Sequence, residues 1–266
     1  MGGTTLIKWE KRECNLSRGQ YIEKWLYASL FFFLLVPLSA PAADTLSGLI
    51  IPGISVGFIT KDTTEEKLRK LLPANQIRRI VFYGEDGLDG CATELFPKSE
   101  KAVVIRWDTN NADWLENVVH AEQESSEEIT YDKDGAPIPP KKLQKACDEI
   151  PDNLVPESVL ITHKNRFWHT KSGITSGMSL MELEKVTGSR VIFYNNADEG
   201  NGSVLSPNFD YLNLYLEALN PDEEFQRKLD IYTKGERNMR TISSKDLPKK
   251  IKSNLAVGRI LVELRN

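Results

Sequence analysis

The apolar positions of the chain fall into short runs, and two of these runs nearly repeat. Arg79-Ile80-Val81-Phe82-Tyr83 returns as Arg190-Val191-Ile192-Phe193-Tyr194. Runs rich in β-branched and aromatic residues read as strands. Ahead of the first run, Leu68, Leu71 and Leu72 stand at helical spacing; ahead of the second, Leu180, Leu183 and Val186 do. Each helix opens on a capping box, a hydroxyl residue followed three positions later by Glu. These are Thr63-Thr64-Glu65-Glu66 and Ser179-Leu180-Met181-Glu182. Pro73 ends the first helix, and Gly188 is a C-cap signal for the second. Gly53-Ile54 and Gly57 are echoed by Gly173-Ile174 and Gly177. The pattern predicts an α+β fold made of a tandem repeat of two helix-plus-antiparallel-sheet units. Period-2 spacing places Ile80 with Phe82, and Val191 with Phe193, each pair expected to face its own helix.

Further strands are expected at Leu49–Ile51, Thr93–Phe96, Ala102–Trp107, Ser203–Leu205, Tyr211–Leu216 and Ala256–Leu264. In the last, Ile260, Val262 and Leu264 share a face. Ser158–His163 and Arg166–Thr170 read as a hairpin around Lys164-Asn165. Trp114–Ala121 reads as either strand or helix, and Lys141–Glu149 as a short helix carrying Cys147. A helix starts near Asn220-Pro221-Asp222-Glu223, and Lys234–Lys252 reads as basic and irregular. Between the units, Glu122, Glu124, Glu127, Glu128, Asp132 and Asp134 precede Gly135, Pro137, Pro139 and Pro140. Apolar residues are sparse there, so the segment reads as an exposed insertion. The resulting division is 1–43, 44–120 for the first unit, 121–152 for the insertion, and 153–266 for the second unit with a C-terminal extension.

Residues 1–43 change the picture. Leu26–Leu38 is strongly apolar, Arg18 and Lys24 precede it, and Ala40 and Ala42 follow in an A-x-A arrangement. That pattern is a secretory signal peptide. The other reading is an uncleaved signal anchor, since a span needs roughly 20 apolar residues and this run is borderline. Both readings export the remainder, to the periplasm or the medium if the first holds and to the periplasmic side of the inner membrane if the second does. The membrane is then met only through this segment. The whole chain carries a formal net charge of −4. Residues 1–43 hold five Lys/Arg against three Asp/Glu, which leaves 29 basic against 35 acidic residues, or −6, for the rest. An acidic balance argues against nucleic acid as the partner.

Of the three cysteines, Cys14 lies ahead of the apolar core, leaving Cys91 and Cys147 in the exported part. An oxidising compartment favours a disulfide between them; two unpaired buried thiols are the alternative. No C-x-x-C zinc spacing or Gly-rich phosphate loop is present. Asp86, Asp89, Asp198 and Glu199 fall in the two turns that follow the repeated runs, where calcium is one reading and ordinary turn chemistry the other. His163 and His169 are six apart without an evident third ligand. No catalytic, cofactor or metal site is therefore expected. Tyr83, Trp107, Tyr194 and Tyr215 are the aromatic candidates for a partner-binding surface.

Val155-Pro156-Glu157-Ser158-Val159 through Trp168, then Gly173-Ile174, Gly177-Met178-Ser179-Leu180, Leu183-Glu184 and Gly188, resemble a family of uncharacterised exported bacterial proteins. Gly53–Leu72 with Gly90-Cys91 is similar to that family's first half. More distantly, the helix-then-sheet repeat resembles the beta-lactamase-inhibitor-like and outer-membrane assembly lipoprotein modules. Those are small binding modules, and no functional residue is carried over from them. The chain departs at Pro73, where a Gly is expected, and in the long insertion around Glu122–Asp152. The expectation is an exported protein that binds an unidentified protein or cell-envelope ligand. The alternative is a periplasmic hydrolase with its site between the two units.

Overall fold

The computed structural model describes residues 47–84, 87–109, 113–123, 130–131, 133, 137–162, 166–195, 201–219, 223–234 and 240–265. The chain divides into two compact units, Met1–Asp44 and Thr45–Asn266, and every described residue belongs to the second. The signal-like segment, Asp86, His163, Asp198, Glu199 and most of the acidic run lie outside the described residues.

The unit opens with three short strands, β1 (Leu49–Ile51), β2 (Ser55–Val56) and β3 (Ile59–Thr60), then α1 (Glu65–Leu71). A three-strand run follows: β4 (Ile77–Gly84), β5 (Gly87–Leu95) and β6 (Val103–Trp107). Next come α2 (Asp113–Gln123), the small pair β7 (Thr130–Tyr131) and β8 (Pro137–Ile138), and α3 (Lys141–Asp148). β9 (Pro156–Thr162), β10 (His169–Thr170) and α4 (Leu180–Thr187) lead to a second run, β11 (Ile192–Tyr194), β12 (Asn201–Ser206) and β13 (Leu212–Ala218). The chain ends with α5 (Glu223–Asp230), β14 (Thr241–Ser243), α6 (Lys249–Lys252) and β15 (Leu255–Glu263). The architecture is thus a mixture of helices and mainly antiparallel sheet. One nine-stranded sheet has the order β14-β11-β12-β13-β15-β9-β6-β5-β4. A four-stranded sheet has the order β10-β1-β2-β3.

Strand register explains why the large sheet has one dry face. Ile105, Val159, Val262 and Leu212 are successive cross-strand partners, and so are Ile161, Ile260 and Leu214. All seven are buried. Each such side chain contributes about 1.5–3 kcal/mol when removed from water. Helices attach to this face by specific links. Leu180 and Leu183 of α4 are buried in the same core. Cys147 of α3 joins Cys91 of β5, with the two Cα atoms 5.3 Å apart. The expected pairing of Cys91 with Cys147 is therefore present in the fold.

A buried ion pair fixes α1. Glu65 is only 1% exposed, and both its carboxylate oxygens accept from Arg79 Nε at 3.0 Å. Arg69 and Thr93 also donate to it, Thr93 at 2.9 Å. Arg79 continues to Asp152 and to the Asp148 carbonyl at the end of α3. One arginine therefore ties a strand, a helix and the following turn together.

This ion pair also corrects the expected register. Arg79 turns to the helix side, so Val81 is buried there, while Ile80 and Phe82 lie on the opposite face. In the second run Val191 and Phe193 are buried, as expected. The two sequence runs are thus offset by one residue in the face they present. Three smaller corrections follow. Thr64, not Thr63, caps α1 and accepts from Lys67 N–H, because the Thr63 hydroxyl is taken up by Thr60 N–H. Leu71 is 66% exposed, since seven residues of helix bury only the Leu68 stripe. β9 and β10 form no hairpin: both edges of β9 are occupied by β6 and β15, and β10 pairs with β1 in the other sheet. The second capping box is intact, Ser179 with Glu182, and Gly188 takes a left-handed φ of 66°. Trp114–Ala121 is helical, within α2.

Candidate functional site

The second face of the large sheet carries the alternate residues. Its middle row runs Glu94, Val104, Leu160, Leu261 and Asn213, each paired in register with the next. Val104 and Leu261 are half-buried, and Leu160 between them is 9% exposed. Period-2 alternation puts these side chains opposite the helix-packed row. They form an apolar ridge across three adjacent strands, β6, β9 and β15.

Two arginine–aromatic stacks flank the ridge. On one side the Arg106 guanidinium lies 5.5 Å from the Phe82 ring centroid, and Arg106 Nη2 is 2.9 Å from Asp89. On the other, the Arg259 guanidinium lies 4.9 Å from the Tyr215 ring centroid, with Nε 3.2 Å from Glu217. Arg78 and Glu94 form a further pair at 2.6 Å, and Asn213 Nδ2 donates to Glu263 at 2.9 Å. Each of these three arginines thus has an anion beside it. The face is amphipathic, close to neutral, and held in place by its own pairs. Ser158, in register between Arg106 and Glu263, is buried, and its Oγ has no hydrogen-bond partner among the described residues.

The four sequence-predicted aromatics separate. Tyr215 and Tyr194 both lie on this face, on β13 and β11, with Tyr194 36% exposed. Trp107 does not: it is 2% exposed, and its Nε1 donates to Thr93 Oγ1, extending the Glu65 network. The alternation of β6 turns it to the core, so it offers no surface. Tyr83 falls after a bulge in β4 and packs against the core. Its hydroxyl is buried without a hydrogen-bond partner among the described residues, and its pKa is raised above the usual 10.0 by burial and then by the nearby Glu122 and Tyr131. Arg106, Arg259, Val104 and Leu261 were not singled out from the sequence. The alternation Leu212-Asn213-Leu214-Tyr215-Leu216-Glu217 marks β13's outward residues, but β6 and β15 have apolar residues of both parities.

No catalytic constellation accompanies these groups among the described residues. No three or more of His, Cys, Asp and Glu converge there in a way that would hold a metal. Asp89 is committed to Arg106, and His169 is exposed with Nδ1 2.9 Å from the Phe167 carbonyl oxygen. A separate cleft of about 600 Å³ lies beside β1 and is lined mainly by Leu49, Ile51, Ile174, Phe209 and Leu212. Among the described residues no helix is long and apolar enough to cross a membrane. Comparison with protein-family models, curated proteins and solved structures finds no match.

Proposed function

We propose that the chain is an exported binding protein that receives a macromolecular partner on the amphipathic face of its large sheet. The observation that carries this reading is the Val104–Leu160–Leu261 ridge between two arginine–aromatic stacks. Tyrosine and arginine around an apolar centre are the residue types that dominate interface energetics. Their prior pairing lowers the side-chain entropy lost on binding. Export is supported by the Arg18–Ala42 pattern and by the Cys91–Cys147 pair, which suits an oxidising compartment.

The tandem-repeat reading is supported by element order. A helix and three antiparallel strands occur as α1, β4, β5 and β6, and again as α4, β11, β12 and β13. β9 and then β15, both within 153–266, follow β6 at the middle of the sheet. The ridge therefore sits at the junction of the two units and draws residues from both.

The test compares immobilised wild-type protein with a Leu261→Asp variant as bait for cell-envelope extract. A partner retained by the parent and lost by a variant of unchanged circular dichroism supports the reading. Identical capture profiles oppose it. Turnover of an ester, glycoside, peptide or phosphoester by the purified protein would replace it with a hydrolase.

A further inference from the structure

The large sheet ends on β4, and no described strand pairs with the outer edge of β4. Its hydrogen bonds show which amides face outward. Phe96 N–H donates to the Gln76 carbonyl, so Gln76 turns toward the neighbouring β5 chain. Ile77 N–H donates instead to the Ala74 carbonyl, and the Arg79 carbonyl accepts from Gln144 Nε2 at 3.2 Å. In antiparallel pairing, the N–H and C=O of one residue point the same way, and successive residues alternate. Residues 77, 79 and 81 therefore turn their amides outward. Arg79 N–H and both groups of Val81 remain on the outer edge without a strand partner among the described residues, before the bulge between Phe82 and Tyr83.

A groove of about 660 Å³ runs along this edge, with β4 on one side and Pro139, Gln144 and Asp148 on the other. Protein edges are commonly blocked by a proline or bulge within the strand or by a covering helix, and here α3 reaches the edge through Gln144 at the Arg79 carbonyl. In β4 the bulge comes only after Val81, and Pro139 stands across the groove rather than in the strand. We propose that β4 is a strand acceptor, taking an extended segment of another protein as a tenth strand of the sheet. Chain segments do add to sheet edges in this way, main-chain bonds giving affinity and alternate side chains specificity.

The groove also states the chemistry of that segment. Arg78 is on the amphipathic face with a 57% exposed side chain, bonded to Glu94 on its inner side. Ile80 and Phe82 follow it on the same face. A carboxylate of the incoming strand fits beside Arg78, and apolar side chains fit beside Ile80 and Phe82. β4 itself, Ile-Arg-Arg-Ile-Val-Phe-Tyr-Gly, has no acid, so a second copy of it cannot supply the carboxylate. The proposed occupant is accordingly not β4 of a second copy but an acid-bearing extended segment of another protein. The groove shares Arg78 and Phe82 with the amphipathic face, but Leu261 on β15 lies four strands from β4, so the Leu261→Asp comparison and the edge test fail independently.

The probe is a fluorescein-labelled heptapeptide, blocked at both ends, with threonine at odd positions and valine, valine and glutamate at the even ones. Binding to the full chain is followed by fluorescence polarisation and by hydrogen exchange at the Arg79 and Val81 amides. Two further probes are N-methylated on alternate residues, one set along each edge. The proposal expects binding with slowed exchange at both amides. It expects one methylated probe to lose roughly tenfold or more in affinity and the other to bind nearly as well as the parent probe. Arg78→Glu weakens the glutamate probe and favours one carrying lysine instead. The proposal is overturned if the probe fails to bind at millimolar concentration or both methylated probes behave alike. It is also overturned if the two amides are already protected in the isolated chain, or if the chain dimerises through β4.

Discussion

Replacing Glu65 by Gln tests the buried network that sets the register of β4. The carboxylate is almost fully buried, and its Arg79 partner exposes only 7% of its side chain. Four donated contacts converge on its two oxygens: Arg79 Nε on each, Arg69 on one and Thr93 on the other. Glutamine keeps the shape but offers one accepting oxygen, and its amide N–H groups meet donors. Arg79 then keeps only the half-exposed Asp152 as a charged partner. Removing one member of a buried pair costs about 3–5 kcal/mol. With a urea m-value of about 2–3 kcal/mol/M, the unfolding midpoint falls by about 1–2.5 M. Exchanging both members for methionine leaves no stranded charge, so Glu65→Met/Arg79→Met should be less destabilised than either single change. Urea unfolding followed by tryptophan fluorescence measures this. A Glu65→Gln unfolding free energy within about 1 kcal/mol of the parent would refute the reasoning.

Three further outcomes are expected. Exchanging both Cys91 and Cys147 for serine removes a cross-link over a sequence separation of 56 and should cost about 2–4 kcal/mol in thermal or urea unfolding, with no change in fold by circular dichroism. The Tyr83 phenol ionises at higher pH when folded, so its contribution is present below 10.0 and is lost as pH rises above it; Tyr83→Phe should unfold less readily than the parent in alkali and be neutral or slightly more stable at neutral pH. Glu182 accepts from Ser179 N–H and then from its hydroxyl, which holds the carboxyl below the usual 4.5. That contribution is present above 4.5 and lost as pH falls through the lower folded value, so Glu182→Gln should flatten the acid limb of a stability–pH curve.

Much of the second half of the chain was legible because its local signals agree. Ser179 and Glu182 cap α4, Gly188 closes it, and β13 alternates without ambiguity. The first half was harder to read. Ile80, Val81 and Phe82 are all apolar, so either parity satisfies the pattern, and the choice is made by Glu65 across 14 positions. The β9 segment looked like half of a hairpin because its real neighbours, β6 and β15, are distant in sequence. The same nonlocality hid the ridge. Val104, Leu160 and Leu261 become one surface only when β6, β9 and β15 are placed side by side. Tyr215 and Tyr194 were chosen by residue type and lie on the outward face, while the same rule chose Trp107, whose strand parity sends it to the core.

The central claim is that the amphipathic sheet face binds a partner. Site-specific photo-crosslinking tests it most directly. A photoreactive phenylalanine analogue is placed at Tyr215 or Leu261 on the face, and at the exposed Leu71 of α1 as a control. The full chain is irradiated in cells that naturally make it. The account predicts a discrete higher-mass adduct from Tyr215 and Leu261 and none from Leu71. No adduct from the sheet positions, or the same adducts from all three, would contradict it.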